Sequence, residues 1–299
     1  MKPVRVALFA PGINSKVMGK ALGADVEAVI LDLEDSVPIA SKLDARKLVA
    51  DVIDGSVGKG GPKPSPMNWV RVNGASTDFL PGDLDAVARP GLAAVMLPKA
   101  ETVEDVQATA AALDRYEKER GVTPGTIEIV LQIESALGIY RAFDLIKASP
   151  RVGATCLGGA RDGDLQTDLG CSWSIEGTEL MYARQKLLLD TRAAGGHVHP
   201  LDGVFSDLND DAGLTADTRL SARLGYIGRT IIHPKQIDPV RAAYAVPEAE
   251  AAYYRKVVSE FEAKEKQGIA AITVDGKLVD YAMFQRAKRV LDLANLDQR

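Results

Sequence analysis

AAVMLPKAETVEDVQATAAALDRYEKERGVTPGTIEIVLQIE, residues 93–134, contains one complete strand–helix–strand unit. Ala93 to Leu97 is a short apolar run of the length and bounding of a buried strand, and Ile127 to Ile133 is a second. Between them the amphipathic stretch Val103 to Arg120 is long enough to be the crossover helix that two parallel strands require. Each strand delivers charged residues at its end, LPKAE after the first and QIE after the second.

The same alternation extends in both directions. Upstream lie the apolar runs Val4 to Ala10, Ala28 to Leu33 and Trp69 to Val72; downstream come Val152 to Leu157, Leu201 to Phe205 and Arg229 to Ile232, with a further amphipathic stretch over Glu179 to Ala194. Eight strand–helix units in series predict an α/β protein with a closed (β/α)8 TIM barrel. An open doubly wound sheet is the alternative, although no GxGxxG follows the first strand. Gly55 to Pro66, GSVGKGGPKPSP, breaks every period and reads as a flexible surface loop. After the eighth unit a charged helix from about Pro247 to Gly268, a strand or hairpin near Ala270 to Asp280 and a last helix through Leu296 form an appendage. The expected division is a barrel over 1–245 and a C-terminal helical and hairpin lid extension over 246–299.

A chain of 299 residues with 46% hydrophobic and 26% charged residues has a folded core of this size as its default. Its 41 acidic against 36 basic residues, net −5, give no field that favours nucleic acid, while local Lys and Arg remain available for a small phosphorylated ligand. No apolar run spans a bilayer and the start MKPVRVALFAPG lacks the apolar region of a signal peptide, so the expectation is no membrane and a cytoplasmic location. Cys156 and Cys171 have no CxxC spacing and are expected to be small buried residues.

Barrel active sites form where strands end, so the residues just after each run are the candidates. LDLEDSV places Asp32, Glu34 and Asp35 at the mouth; RVNG brings Arg71 and LPKAE brings Lys99 to face them. QIE delivers Glu134, and the stretch Gly158 to Gly170 contains Asp162, Asp164 and Asp168. Carboxylates from two adjacent strands suit a hard divalent ion such as Mg2+, which takes a few carboxylates plus waters and substrate oxygens. Each acid also has an ordinary reading, as a helix N-cap or an ion-pair partner.

Taken together, LFAPGINSKVMGKAL (8–22), LDLEDSV with Lys42 and Arg46, RVNG, LPK, IESALG, DLQTDLG, YARQKLLLDTRAAG (182–195), IIHPKQI (231–237) and VDGKLVD (274–280) resemble the citrate lyase β-subunit and malyl-CoA lyase group of the HpcH/HpaI aldolase superfamily. The resemblance implies magnesium-dependent, reversible cleavage of a short 3-hydroxyacyl-CoA, such as malyl-CoA, methylmalyl-CoA or citramalyl-CoA, to an acyl-CoA and a 2-oxoacid. It implies Glu134 and Asp164 as metal ligands. Gly159 counts forward to Asp162 whereas Gly170 counts back to Asp164, as though two residues were inserted, and Asp162 stays the second candidate. Arg71 matches the residue that grips the 2-oxoacid carboxylate, with an ion pair to Glu34 or Asp35 as its plainer reading. Glu34 and Asp35 are counted with the catalytic set, and Lys99 joins the mouth by pairing with Asp32 or Glu34.

Lys16 and Lys20 fall in the stretch that resembles a CoA-contacting one, and they also read as solvated helix lysines. Asp280 resembles the family's carboxyl acid/base, supplied by the C-terminal segment of a neighbouring subunit, which would make the protein a homotrimer or hexamer; its plainer reading is the N-cap of the last helix. His233, in IIHPKQI, is expected to be structural or CoA-adjacent rather than catalytic, and His197 and His199 to precede the seventh strand without a role. The remaining alternatives are a citrate lyase β subunit acting on a citryl thioester, a CoA-independent hydroxy-oxoacid aldolase, and a thioester-binding protein without turnover.

Overall fold

A computed structural model describes residues 1–57 and 65–296 of the chain. The loop expected over Gly55–Pro66 falls mostly outside those residues; Gly55 and Ser56 instead complete the last turn of a helix. The chain divides into two compact units, Met1–Val240 and Arg241–Arg299.

In the first unit eight strands, β1 (Val6–Pro11), β2 (Ala28–Asp32), β3 (Met67–Arg71), β4 (Leu92–Pro98), β5 (Glu128–Ile133), β6 (Val152–Leu157), β7 (His199–Asp202) and β8 (Gly228–Ile231), pair in sequence order, and β8 closes onto β1. Every pairing in the barrel is parallel. The closed barrel excludes the open-sheet alternative. The connections carry α1 (Ser15–Leu22), α2 (Lys42–Ser56), α3 (Leu80–Val87), α4 (Val103–Glu119), α5 (Ala136–Lys147), the pair α6 (Asp164–Leu169) and α7 (Met181–Ala194), and α8 (Asp211–Leu224). α9 (Ile237–Tyr244) follows the last strand, and the division between units falls inside it.

The strands are apolar on both faces because one side fills the barrel and the other meets the helices. β2 and β6 are buried at every position, and Leu8, Ile30, Trp69, Met96 and Leu97 have almost no exposure. Each such aliphatic side chain contributes about 1.5–3 kcal/mol by leaving water. Local chemistry then fixes where helices begin. Thr102 caps α4 in a reciprocal box with Asp105, and the Ser135 hydroxyl accepts from the Gly138 amide at 3.0 Å to start α5 immediately after Glu134.

The second unit holds α10 (Glu248–Glu265), an antiparallel hairpin β9 (Ile272–Val274) and β10 (Lys277–Val279), and α11 (Tyr281–Leu296). The hairpin turns through Asp275 and Gly276, both at positive φ, as a tight two-residue turn between twisted strands demands. Val257, Phe261, Val274, Val279, Phe284 and Ala287 form its core, with the Phe261 and Phe284 rings stacked 4.7 Å apart.

Two sequence expectations need correction. The seventh strand is His199–Asp202 rather than Leu201–Phe205, so His199 opens the strand instead of preceding it; in the loop beyond it Val204 is half-buried and Phe205 buried, set edge-on to Trp173. Cys156 is buried as expected, whereas Cys171 is only half-buried in the turn after α6.

Candidate active site

The C-terminal ends of the strands surround a cavity of about 450 Å³. Its polar lining includes Asp32, Asp35, Arg71, Gln132, Glu134 and Asp164, and its apolar lining includes Phe9, Leu157, Val204 and Ile232. This is where a barrel of parallel strands gathers chemistry.

Asp32 and Arg71 occupy directly paired positions on β2 and β3. The Arg71 Nε and Nη2 donate to the two Asp32 carboxylate oxygens at 2.7 and 2.8 Å, a fork-to-fork pair that is buried. Nη1 lies 3.0 Å from Glu34 Oε2 and 3.5 Å from Asp35 Oδ2, and the guanidinium sits 5.0 Å from the Phe9 ring centroid. Burial would raise the Asp32 carboxyl, but Arg71 and donors from Ser36 and Glu34 hold it below the usual range. Arg71 is held above its ordinary value by Asp32, Glu34 and Asp35 in spite of burial. The ion pair to Glu34 and Asp35 read from sequence is present, and Asp32 is the stronger partner that reading missed.

Lys99 follows β4 at φ 53, an unusual left-handed conformation for a side chain of this size. That turn aims its Nζ at Glu34 Oε1 (3.0 Å), Asp164 Oδ2 (3.2 Å) and Asp35 Oδ1 (3.7 Å). Of the two partners expected for Lys99, Glu34 is found and Asp32 is not. Lys42 donates to the Leu33 and Glu34 carbonyls, both at 2.7 Å, and so fixes the backbone that presents the acids.

Glu134 is buried at the end of β5. Gln132 Nε2 donates to its Oε2 at 2.7 Å, while Glu134 Oε1 and Gln132 Oε1 are buried oxygens with no hydrogen-bond partner; Glu34 Oε2 is held by its ion pair with Arg71. Burial first, and the charge of Glu34 second, push the Glu134 carboxyl up to about 7. Burial likewise raises Glu34, with Arg71 and Lys99 opposing. The backbone is shaped around Glu134: a Cβ added at Gly158 would stand 2.2 Å from the Glu134 Cβ. Only glycine lets β6 pass this close.

The two aspartates that the sequence left as alternatives part company here. Asp164 opens α6, lines the cavity and meets Lys99. Asp162 stands at φ 59 with its side chain 83% exposed, beside Arg161, and does not line the cavity. Asp168 accepts from the Ala136 amide at 2.6 Å and ties α6 to the start of α5, a structural task. Lys16 and Lys20 are exposed on α1 and do not line the cavity. Asp280 belongs to the second unit, where its Oδ1 accepts from the Met283 amide at 3.0 Å and caps α11, as its plainer reading has it. His233 caps a short turn through Nδ1, which accepts from the Lys235 amide at 3.1 Å.

Buried oxygens without partners, ringed by carboxylates, form an all-oxygen donor set that fits a hard divalent cation. Among the described residues no group of three or more His, Cys, Asp or Glu side chains converges as a full cage. Two carboxylates with remaining positions left to water and substrate is the arrangement such a mouth offers.

Residues 5–234 match the HpcH/HpaI aldolase/citrate lyase family, and residues 186–297 match the C-C bond lyases of the TIM-barrel fold. The chain belongs to the HpcH/HpaI aldolase/citrate lyase family. It is thereby a carbon–carbon lyase. The citrate lyase subunit beta of Escherichia coli K12 is 35% identical to it over 98% of this chain and 93% of that one. The L-malyl-CoA/beta-methylmalyl-CoA lyase of Cereibacter sphaeroides ATCC 17025 is 30% identical over 99% and 96%. The crystal structure of CitE from Mycobacterium tuberculosis, in complex with magnesium, acetoacetate and coenzyme A, is 30% identical over 97% and 98%, with a TM-score of 0.74. Among the described residues no helix is long and apolar enough to cross a membrane.

Phe9 was not nominated from sequence, nor were the parts that Gln132 and Gly158 play around Glu134; Asp32 was placed at the mouth but not as the partner of Arg71. Gln132 lies two residues before Glu134 on the same strand and therefore on the same face, which is the signal that could have found it.

Proposed function

We propose that this HpcH/HpaI-family lyase catalyses the reversible, magnesium-dependent cleavage of a short 3-hydroxyacyl-CoA to an acyl-CoA and a 2-oxoacid. The observation that carries the reading is the buried Glu134 carboxylate, with one oxygen unpartnered, in the same cavity as Arg71. Glu134 and Asp164 would hold the ion, which would supply positive charge beside the carboxylate and carbonyl oxygens of the 2-oxoacid. Gln132 positions Glu134 through its amide donor. Asp32 locks one edge of the Arg71 guanidinium, and Nη1, which faces Glu34 and Asp35, is the donor that a substrate carboxylate would share with them.

In the condensing direction a carboxylate base removes a proton from the acyl methyl group. The resulting enolate carbon bonds to the carbonyl carbon of the 2-oxoacid, whose π pair moves to oxygen, and a proton then neutralises that oxygen. Cleavage is the reverse, with no net redox change and no loss of the thioester. Asp280 is assigned the proton transfer at carbon, from the C-terminal unit of a neighbouring subunit in a homotrimer or hexamer. Mixing inactive Asp280→Asn and Glu134→Gln proteins tests that assignment, since shared sites predict partial recovery of activity after subunit exchange.

The test of the function is 2-oxoacid release by the purified protein from malyl-CoA, methylmalyl-CoA, citramalyl-CoA and citryl-CoA, with magnesium and with EDTA. Magnesium-dependent release from at least one is expected, and no release from any would refute the reading. Action on a citryl thioester, as a β subunit, is the second reading, and the similarity to the Escherichia coli subunit favours it.

A further inference from the structure

We infer that Arg229 is a positioning residue for the lyase reaction, which from outside the barrel clamps the Gly203 carbonyl and so fixes the backbone against which Glu134 stands; this rests on the reading of Glu134 as a metal ligand. Arg229 lies on β8 and has almost no exposure, yet it does not line the strand-end cavity. Its neighbour Thr230 does, so alternation along the strand turns the Arg229 side chain outward, toward α8. There Nη2 donates to Asp217 Oδ2 at 2.8 Å and Nη1 to the Thr218 hydroxyl at 2.7 Å. Nε and Nη2 together donate to one main-chain acceptor, the Gly203 carbonyl, at 3.0 and 2.7 Å. A cationic donor binding one oxygen twice holds it more firmly than a neutral loop bond does. Asp217 also accepts from Arg184 Nη2 at 2.7 Å, so α7 and α8 both brace the clamp.

Gly203 joins this clamp to the site. It directly follows β7, and a Cβ added there would overlap the Leu157 carbonyl oxygen and stand 3.1 Å from the Gly159 nitrogen. The segment it presses on, Leu157–Gly159, contains Gly158, whose amide donates to the Ile133 carbonyl at 2.7 Å and whose Cα has no room for a Cβ beside Glu134. Two successive approaches that admit no side chain leave no slack between them, so a displacement of Gly203 is passed to the backbone around Glu134. Gln132 orients the Glu134 carboxylate directly, and Arg229 does so through the backbone. The plainer role of Arg229, a buried ion pair that serves stability alone, predicts a different response to substitution.

The experiment is calorimetric titration of magnesium, with the simplest 2-oxoacid, glyoxylate, present, into full-length wild type, Arg229→Lys and Gly203→Ala. Arg229→Lys keeps a cation beside Asp217 and loses the fork on Gly203, whereas Gly203→Ala presses on Leu157 and leaves every ion pair intact. Each is expected to bind magnesium about five- to tenfold more weakly. In the 2-oxoacid release assay each should need correspondingly more magnesium for half-maximal rate, while the KM for the thioester stays within about twofold. Glu117→Gln, which removes a carboxylate partner of Arg151 away from the cavity, is the control, in which stability falls and magnesium affinity does not. A folded Arg229→Lys or Gly203→Ala protein with wild-type magnesium affinity would overturn the inference and leave the lyase reading standing. A wild type that binds no magnesium would overturn both.

Discussion

Glu117 and Glu134 are both buried glutamates within one strand–helix–strand unit, and they are treated in opposite ways. Glu117, on α4, has no exposed surface; it accepts from the Ile127 and Gly125 amides at 2.7 and 2.8 Å and from Arg151, which also donates to the Ile127 carbonyl. Burial opposes its charge, but Arg151 and the two amides hold its carboxyl below the ordinary value. Glu134 has one amide donor and one bare oxygen, and its carboxyl is raised to about 7. Glu117 braces the N-terminal ends of β5 and β6, where barrels place stability, and Glu134 stands at the C-terminal end, where they place chemistry. A buried charge satisfied by the protein is structural; one left unsatisfied by the protein is addressed to something else.

Substitution should separate the two. Glu134→Gln is expected to lower turnover by about 10³-fold, a ligand and a charge being lost together, with thermal stability equal to or above wild type. Thermal denaturation beside the 2-oxoacid assay checks both halves; a large loss of stability would return Glu134 to the structural class. Glu117→Gln should do the reverse, costing about 3–5 kcal/mol in urea unfolding because Arg151 is left without its main partner, while the folded protein keeps its kcat/KM.

A smaller contrast lies in the loop after β6. Asp164→Asn should lose about 30-fold or more in activity, with a raised magnesium requirement, and Asp162→Asn should stay within about threefold. Equal losses would mean that the exposed Asp162 approaches the site in solution.

The pH dependence sharpens the comparison further. In metal-free protein Glu134 titrates near 7 when folded and near the ordinary 4.5 when unfolded. Between those values the native state keeps a proton the unfolded state has lost, so stability falls as pH rises through this window and levels above about 7. Wild type should therefore lose on the order of 2–3 kcal/mol relative to Glu134→Gln from pH 4.5 to 7, read by urea unfolding in EDTA. Glu117 has the other sign: its contribution is present above 4.5 and disappears as pH falls through its lowered value.

The barrel was legible because a two-sided buried sheet writes its strands as continuous apolar runs, and Val152–Leu157 is found with the expected ends. β7 was displaced because a half-buried Val204 and a buried Phe205 in a loop imitate a strand, while His199 and Pro200, within the strand, do not look like one. The strand-end acids and cations were legible one by one. Their partnerships were not, since the Asp32–Arg71 fork depends on the register of β2 against β3, and the choice of Asp164 over Asp162 depends on a backbone turn at positive φ. Nor does the sequence record that Glu134 keeps a bare oxygen, which is a property of everything packed around it.

Titration of magnesium into wild type and Glu134→Gln by calorimetry, at pH 7 in two buffers of different ionisation enthalpy and with glyoxylate present, tests the central claim most directly. With the Glu134 carboxyl near 7, wild type should bind the ion and release about half a proton, and Glu134→Gln should bind at least about tenfold more weakly and release none. Equal affinity and equal proton release in the two proteins would contradict the assignment of Glu134 as the group left open for the metal.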